Sequence, residues 1–164
     1  MKFQIPIPSS FAEMTVEELL ERQWLVPKKI RHFLRSKRHL LLNGQTCSWQ
    51  NPVRAGDELT LLFDEDDYPK KAVPFGQAEL VDCLYEDQHL IIVNKPEGMK
   101  THANQPGEIA LLNHVSAYVG QACYVVHRLD RETSGLVLLA KNPFVLPILN
   151  HLLEDKKISR QYWA

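Results

Sequence analysis

An α+β fold in two parts is predicted by three features of this sequence. Before residue 64, two short helical patterns lead into an Asn43-Gly44 turn and short strand patterns. Beyond residue 79, two apolar runs parted by Glu86-Asp87-Gln88 read as a β-hairpin, and the unbroken apolar run Leu136 to Ala140 reads as a buried strand. Between the two parts lies a stretch rich in acid and proline. The expected organisation is a leader at 1–14, a small domain of two helices and short strands at 15–63, a linker at 64–78, and a mixed or antiparallel sheet domain at 79–164.

In the first domain, Thr15 with Glu18 makes a capping box, which starts a helix running to about Gln23. Pro27 suits the first position of a second helix, and Ile30, Phe33 and Leu34 then recur at the spacing of one helical face. The basic residues Lys28, Lys29, Arg31, Arg35 and Arg38 fall mostly off that stripe, so they are expected to face solvent or a polyanion. Leu40 to Leu42 leads into Asn43-Gly44, the strongest short hairpin signal, and the chain returns through Gln45, Thr46 and Cys47. Pro52 to Asp57 reads as loop and turn, with Gly56 admitting positive φ, ahead of a strand from Glu58 to Phe63. Asp64 to Asp67, Tyr68-Pro69 and Pro74-Phe75-Gly76 read as a polar linker whose acids repel polyanions.

In the second domain, Leu80 to Tyr85 and His89 to Asn94 form the hairpin, and Lys95-Pro96-Glu97-Gly98 breaks the strand. Leu111, Leu112, Val115 and Tyr118 follow a helical spacing that Gly120 closes. Tyr124 to Val126 is a short apolar entry to a polar loop, and the buried strand follows it. Asn142-Pro143 then caps a helix whose apolar face carries Phe144, Leu146, Leu149, Leu152 and Leu153.

Hydrophobic residues at 45% with charged residues at 24% describe a folded globular chain rather than a disordered one. Residues 1–10 hold no long apolar core, so neither a signal peptide nor a membrane helix is read there, and the cytoplasm is expected. Cys47, Cys83 and Cys123 lie far apart and are odd in number, which predicts reduced structural thiols. No metal site and no cofactor are expected, because neither cysteines nor histidines pair at ligand spacing. The net charge of −1 conceals a segregation: six basic residues and no acid lie between Lys28 and His39, and four acids fill Asp64 to Asp67.

The chemistry concentrates in His127-Arg128-Leu129-Asp130-Arg131-Glu132-Thr133-Ser134-Gly135. A carboxylate flanked by Arg128 and Arg131 is expected to stay ionised, and a placed, ionised carboxylate serves as nucleophile or base. Thr133, Ser134 and Gly135 supply short hydroxyls and a permissive backbone for a sharp turn. A solvated Arg-Asp pair in a surface turn is the bland alternative, and spacing alone does not decide between them.

His-Arg-Leu-Asp, two residues, then Thr-Ser-Gly resembles the active-site signature of the RluA-type pseudouridine synthase family. Two further segments resemble the same family: Leu84-Tyr85-Glu86-Asp87 through Lys95-Pro96-Glu97-Gly98, and Arg160, Tyr162 and Ala164 near the end. Residues 15–63 resemble the S-four-type RNA-binding domain, on the basic helix and the Asn43-Gly44 and Gly56-Asp57 turns. The resemblance implies an RNA-binding domain followed by a pseudouridine synthase domain that isomerises uridines in ribosomal or transfer RNA without a cofactor. It carries the catalytic role onto Asp130 and the base-stacking role onto Tyr162, which opens a strand in the family. Arg128 is implied as the side chain that fills the space of a flipped base, with His127 orienting the loop or contacting phosphate. Lys95 and Pro96 are implied as architecture. Phosphate contacts are expected from Lys28, Lys29, Arg31, Arg35, Lys37 and Arg38.

Family members continue for well over a hundred residues past this point, with the rest of a large sheet and a late basic partner for the aspartate. The resemblance therefore implies an N-terminal portion, with little activity of its own and exposed sheet edges that promote aggregation. Two readings from other classes stay open: an RNA-binding module with a vestigial catalytic half, and a metal-dependent nuclease using Asp130 and His127.

Overall fold

The computed structural model describes residues 1–68 and 72–163. The chain divides into two compact units, Met1–Lys70 and Lys71–Ala164. The α+β class expected from the sequence is the class observed, with antiparallel sheets in both units.

The first unit opens on β1 (Lys2–Pro6), which pairs antiparallel with β6 (Glu58–Leu62). The expectation of a leader at 1–14 is corrected here. Alternation of Phe3, Ile5 and Ile7 with polar residues or proline is a strand signal, and Phe3 and Ile7 are buried. β2 (Met14–Thr15) pairs with β5 (Pro52–Val53) in a two-stranded ladder. The capping box forms as expected: the Glu18 amide donates to Thr15 Oγ1 at 3.2 Å, and Glu18 Oε2 accepts from the Thr15 amide at 3.0 Å. The helix it starts, α1 (Val16–Glu18), soon widens into a π-type turn over Leu19–Gln23, where the Trp24 amide reaches back to Leu19 O.

α2 (Lys28–Ser36) begins one residue later than the proline suggested, because Pro27 stays extended and caps the helix with its carbonyl, accepting from the Arg31 amide. Ile30 and Leu34 point into the core. β3 (Leu40–Leu42) and β4 (Gln45–Thr46) flank Asn43-Gly44, both with positive φ as the tight hairpin turn requires. β6 lies between β1 and β3, completing the order β1-β6-β3-β4.

The acidic block departs from its expected role as a linker that repels polyanions. Asp64 caps a 3₁₀ turn at Glu65–Asp67, and Lys37 Nζ donates to Asp64 at 2.9 Å and also to Asp67. Pro69 and the two lysines after it, within the expected linker, lie outside the described residues. Further on, residues 74–77 dock on the second unit's own helix. The Gly76 amide donates to Asn113 O, Asn113 Nδ2 to Pro74 O, and the Gln77 amide to His114 Nδ1 at 2.9 Å. A Cβ on Gly76 would stand 2.6 Å from His114 Nδ1, so this segment accepts only glycine there.

The second unit is one four-stranded antiparallel sheet in the order β7-β8-β10-β9. β7 (Asp82–Glu86) and β8 (Leu90–Lys95) form the expected hairpin, with an irregularity between Cys83 and Tyr85. α3 (Leu111–Val119) ends on Gly120 in the left-handed region, as its glycine signalled. β9 (Tyr124–Val125) pairs with the far half of β10 (Gly135–Ala140). α4 (Val145–Glu154) begins after Asn142, whose Oδ1 accepts from the Val145 amide. The two faces of β10 pack separately: Val137 and Leu139 join α3 in one cluster, and Leu138 and Ala140 join α4 in the other. The three cysteines are free thiols, and burial pushes the Cys123 thiol up to about 11, which makes it inert.

Candidate active site

Antiparallel pairing of β8 with β10 sets Lys95 opposite Gly135, so the chain leaving β8 and the chain entering β10 meet at one end of the sheet. Their meeting is bonded closely. The Gly98 amide donates to Arg131 O at 2.8 Å, and Arg131 Nε returns a bond to Gly98 O at 3.1 Å. The Thr101 hydroxyl donates to Leu129 O at 2.7 Å and accepts from the Leu129 amide at 3.1 Å. Gly98 and Gly135 both hold positive φ, which lets the two crossings turn without strain.

Lys95 is the unexpected member. It is 0% exposed, and its ammonium donates to Pro96 O, Met99 O and Arg131 O at 3.0, 2.7 and 3.2 Å. Burial lowers its pKa, opposed by the nearby carboxylates of Glu132, Asp130 and Glu97. The lysine thus stitches the turn after β8 to the loop before β10.

Along the loop, exposure alternates: Arg128 is exposed, Leu129 is buried in the core with Val137 and Leu111, and Asp130 is exposed. Arg128 and Asp130 line one depression of about 120 Å³ together with Lys100, Thr101, His102 and Asn104. Those last four escaped the sequence reading. Dispersed histidines carry no spacing signal, and only the strand register brings residues 100–104 beside residue 130.

Of the two readings left open for this loop, the solvated Arg-Asp pair in a surface turn is not what forms. Among the described residues Asp130 makes no ion pair, and Arg131 is turned to Gly98 O and to Glu132 at 3.8 Å. Arg128, Arg131 and Lys100 all line the depression that Asp130 borders, so cations edge it without an ion pair to the carboxylate among the described residues.

His127 faces inward. Its Nε2 accepts from the Leu138 amide of β10 at 3.2 Å, and burial, with the Arg160 charge adding to it, lowers its pKa below the usual 6.5. The folded chain therefore holds His127 neutral while the unfolded chain takes a proton near pH 6.5. Its contribution to stability is complete above that pH and is lost as the pH falls toward the lower folded value. Thermal melts should show the wild type losing stability more steeply than His127→Gln between about pH 7 and 5. Parallel pH profiles for the two proteins would remove the assignment.

Tyr162 stands apart: it is 62% exposed and does not line the depression around Asp130. The strand expected to open at Arg160 is not formed, because residues 159–163 have no strand partner among the described residues. Ala164 lies outside the described residues.

In the first unit, the six expected RNA contacts divide by what already holds them. Lys28, Lys29, Arg35 and Arg38 are exposed. Arg31 is half-buried and spends its guanidinium on Val26 O at 3.1 Å and Glu21 at 2.9 Å. Lys37 is held by Asp64 and Asp67. Arg35 lies over the Trp49 ring at 5.9 Å, and with Arg38 it borders a groove between α2 and residues 46–50.

Such an arrangement defines a class: a basic helical unit joined to a sheet unit that presents a free carboxylate beside an arginine. Residues 3–59 match the RluD ribosomal pseudouridine synthase N-terminal domain, and residues 89–164 match the RNA pseudouridylate synthase family. The RNA pseudouridine synthase YhcT of Bacillus subtilis is 30% identical over 167 residues, covering 93% of this chain and 54% of that protein. Ribosomal large subunit pseudouridine synthase C of Vibrio cholerae is 28% identical, over 98% of this chain and 54% of that one. A tRNA pseudouridine synthase C of Pectobacterium carotovorum is 35% identical over 54% of this chain and 24% of its own length. The chain belongs to the RluA-type pseudouridine synthase family. It spans about half the length of the curated relatives it matches most fully.

Proposed function

We propose that the chain contributes to RNA pseudouridylation, with residues 15–63 and β1 binding RNA and residues 79–164 supplying the catalytic loop. The carrying observation is Asp130: exposed, without an ion pair among the described residues, and sharing a depression with Arg128. The substrate is uridine in ribosomal or transfer RNA, in line with the names of its relatives.

The reaction breaks the bond from the sugar to a uracil nitrogen, turns the base and rejoins it through ring carbon 5, releasing the proton there. Positive charge develops at the sugar carbon, where the Asp130 carboxylate either adds covalently or removes the neighbouring sugar proton. Reaching the base requires flipping it from the RNA at a cost of a few kcal/mol, and the Arg128 guanidinium stacks in the vacated space. Tyr162 is proposed to stack on the base, which requires its segment to close over the loop. Release of tritium from RNA labelled at uracil carbon 5 tests the proposal, with little release expected from the 164 residues alone; a protein completed to its relatives' length that binds RNA and releases none would refute it.

The logarithm of the RNA affinity should fall linearly with the logarithm of salt concentration, because each lysine or arginine on a phosphate releases condensed counterions. Exchanging Lys28 or Arg38 for Gln should flatten that slope by about 0.9 apiece. Lys37→Gln should flatten it less, since Asp64 and Asp67 already neutralise the ammonium. Equal slopes for all three variants would contradict the division.

A further inference from the structure

We infer that the Thr101 hydroxyl is a positioning residue that aims Arg128 and Asp130 into the same depression. The inference rests on the proposed function and adds a role that the signature loop itself does not contain. A hydroxyl has one proton to donate and lone pairs to accept, and here both capacities go to one residue, Leu129. Strand neighbours in an antiparallel ladder bond in this pattern, with both the amide and the carbonyl of one residue taken from the same side. The Thr101 side chain thus stands in for a strand partner at a point where no strand runs.

Holding both polar groups of Leu129 on one side keeps that residue extended. In an extended stretch, alternate side chains share a face. Leu129 then points into the core, and Arg128 and Asp130 both point out, as their exposures show. Neighbouring bonds extend the hold past the aspartate: Asp130 O accepts from the Thr133 amide at 3.1 Å, and Arg131 O accepts from Gly98 and Lys95. The backbone is tied on both sides of Asp130 while its carboxylate stays unencumbered. Thr101 is only 2% exposed, so nothing replaces its bonds from solvent.

The paired variants Thr101→Val and Thr101→Ser separate bonding from packing. Valine keeps the shape and deletes both hydrogen bonds; serine keeps the bonds and deletes a methyl group. In the 164-residue chain, hydrogen exchange at the Leu129 amide should accelerate in Thr101→Val and stay slow in Thr101→Ser. By NMR, the backbone amide shifts of Arg128 and Asp130 should move in the valine variant and return in the serine variant. Turnover in the tritium assay should drop about 10²-fold in Thr101→Val with KM little changed, and recover in Thr101→Ser. Unaltered exchange and amide shifts in Thr101→Val overturn the inference, as does a serine variant that behaves like valine. If the protein completed to its relatives' length binds RNA but releases no tritium, the functional reading falls alone, and the exchange and amide-shift results still decide the part played by Thr101.

Discussion

Asp130→Asn should bind RNA as tightly as the wild type and melt at the same temperature, yet release tritium from uracil carbon 5 at a rate reduced by roughly 10³-fold or more. The expected separation follows from how little the fold asks of this carboxylate. It is exposed and makes no ion pair among the described residues; the bond that fixes Asp130 locally runs through its backbone carbonyl. Exposed substitutions of this kind change stability by no more than about 0.5 kcal/mol. The amide keeps the shape but can neither trap the sugar carbon nor take a proton, so both mechanistic alternatives lose their acting group. Asp130→Glu should rescue poorly, because an added methylene moves the oxygens off a line of attack set by the backbone ties. Near-normal release by Asp130→Asn would move the chemistry elsewhere, whereas a fall in melting temperature would reveal a structural role for the carboxylate.

Local signals in the sequence were read well where the physics was local. The Thr15-Glu18 box, the Asn43-Gly44 turn, the Gly120 stop and the hairpin around Glu86-Asp87-Gln88 each depend on residues a few positions apart, and each formed. What stayed hidden depends on distant partners. Nothing near Asp64 foretells that its carboxylate meets Lys37, twenty-seven positions earlier. Residues 74–77 look like linker until Asn113 and His114 arrive to bond them. At the candidate site, the signature loop drew notice through its charge density, but half of the depression comes from residues 100–104, which only the pairing of β8 with β10 delivers. Spacing left open whether the arginines beside Asp130 pair with it, and the fold decides by turning Arg131 to Gly98 O. Tyr162 owes its expected stacking role to the family resemblance, and its exposed ring does not line the depression around Asp130.

Lys95 carries the other large expected effect, this time on stability. Lys95→Met preserves the aliphatic stem and deletes three donors, leaving the carbonyls of Pro96, Met99 and Arg131 competing for bonds they cannot all replace. Removing a buried charge also relieves its desolvation, so the sign depends on which change is larger. Burial outweighs the nearby carboxylates and disfavours the cation, but three convergent carbonyl acceptors at 2.7 to 3.2 Å tip the balance toward the lysine. The part-buried carbonyls of Pro96 and Met99 lose their donor, at about 1–3 kcal/mol for each that water cannot reach. A net loss of about 2 kcal/mol lowers the melting temperature of a unit this size by roughly 10 °C. Arginine should not rescue it, since a planar guanidinium cannot occupy a site shaped around a single nitrogen. Because the Gly98 amide still holds Arg131 O, the loop should loosen rather than detach, and residual turnover should exceed that of Asp130→Asn. An unchanged melting temperature with abolished turnover would reverse the assignment and make Lys95 a participant in the chemistry.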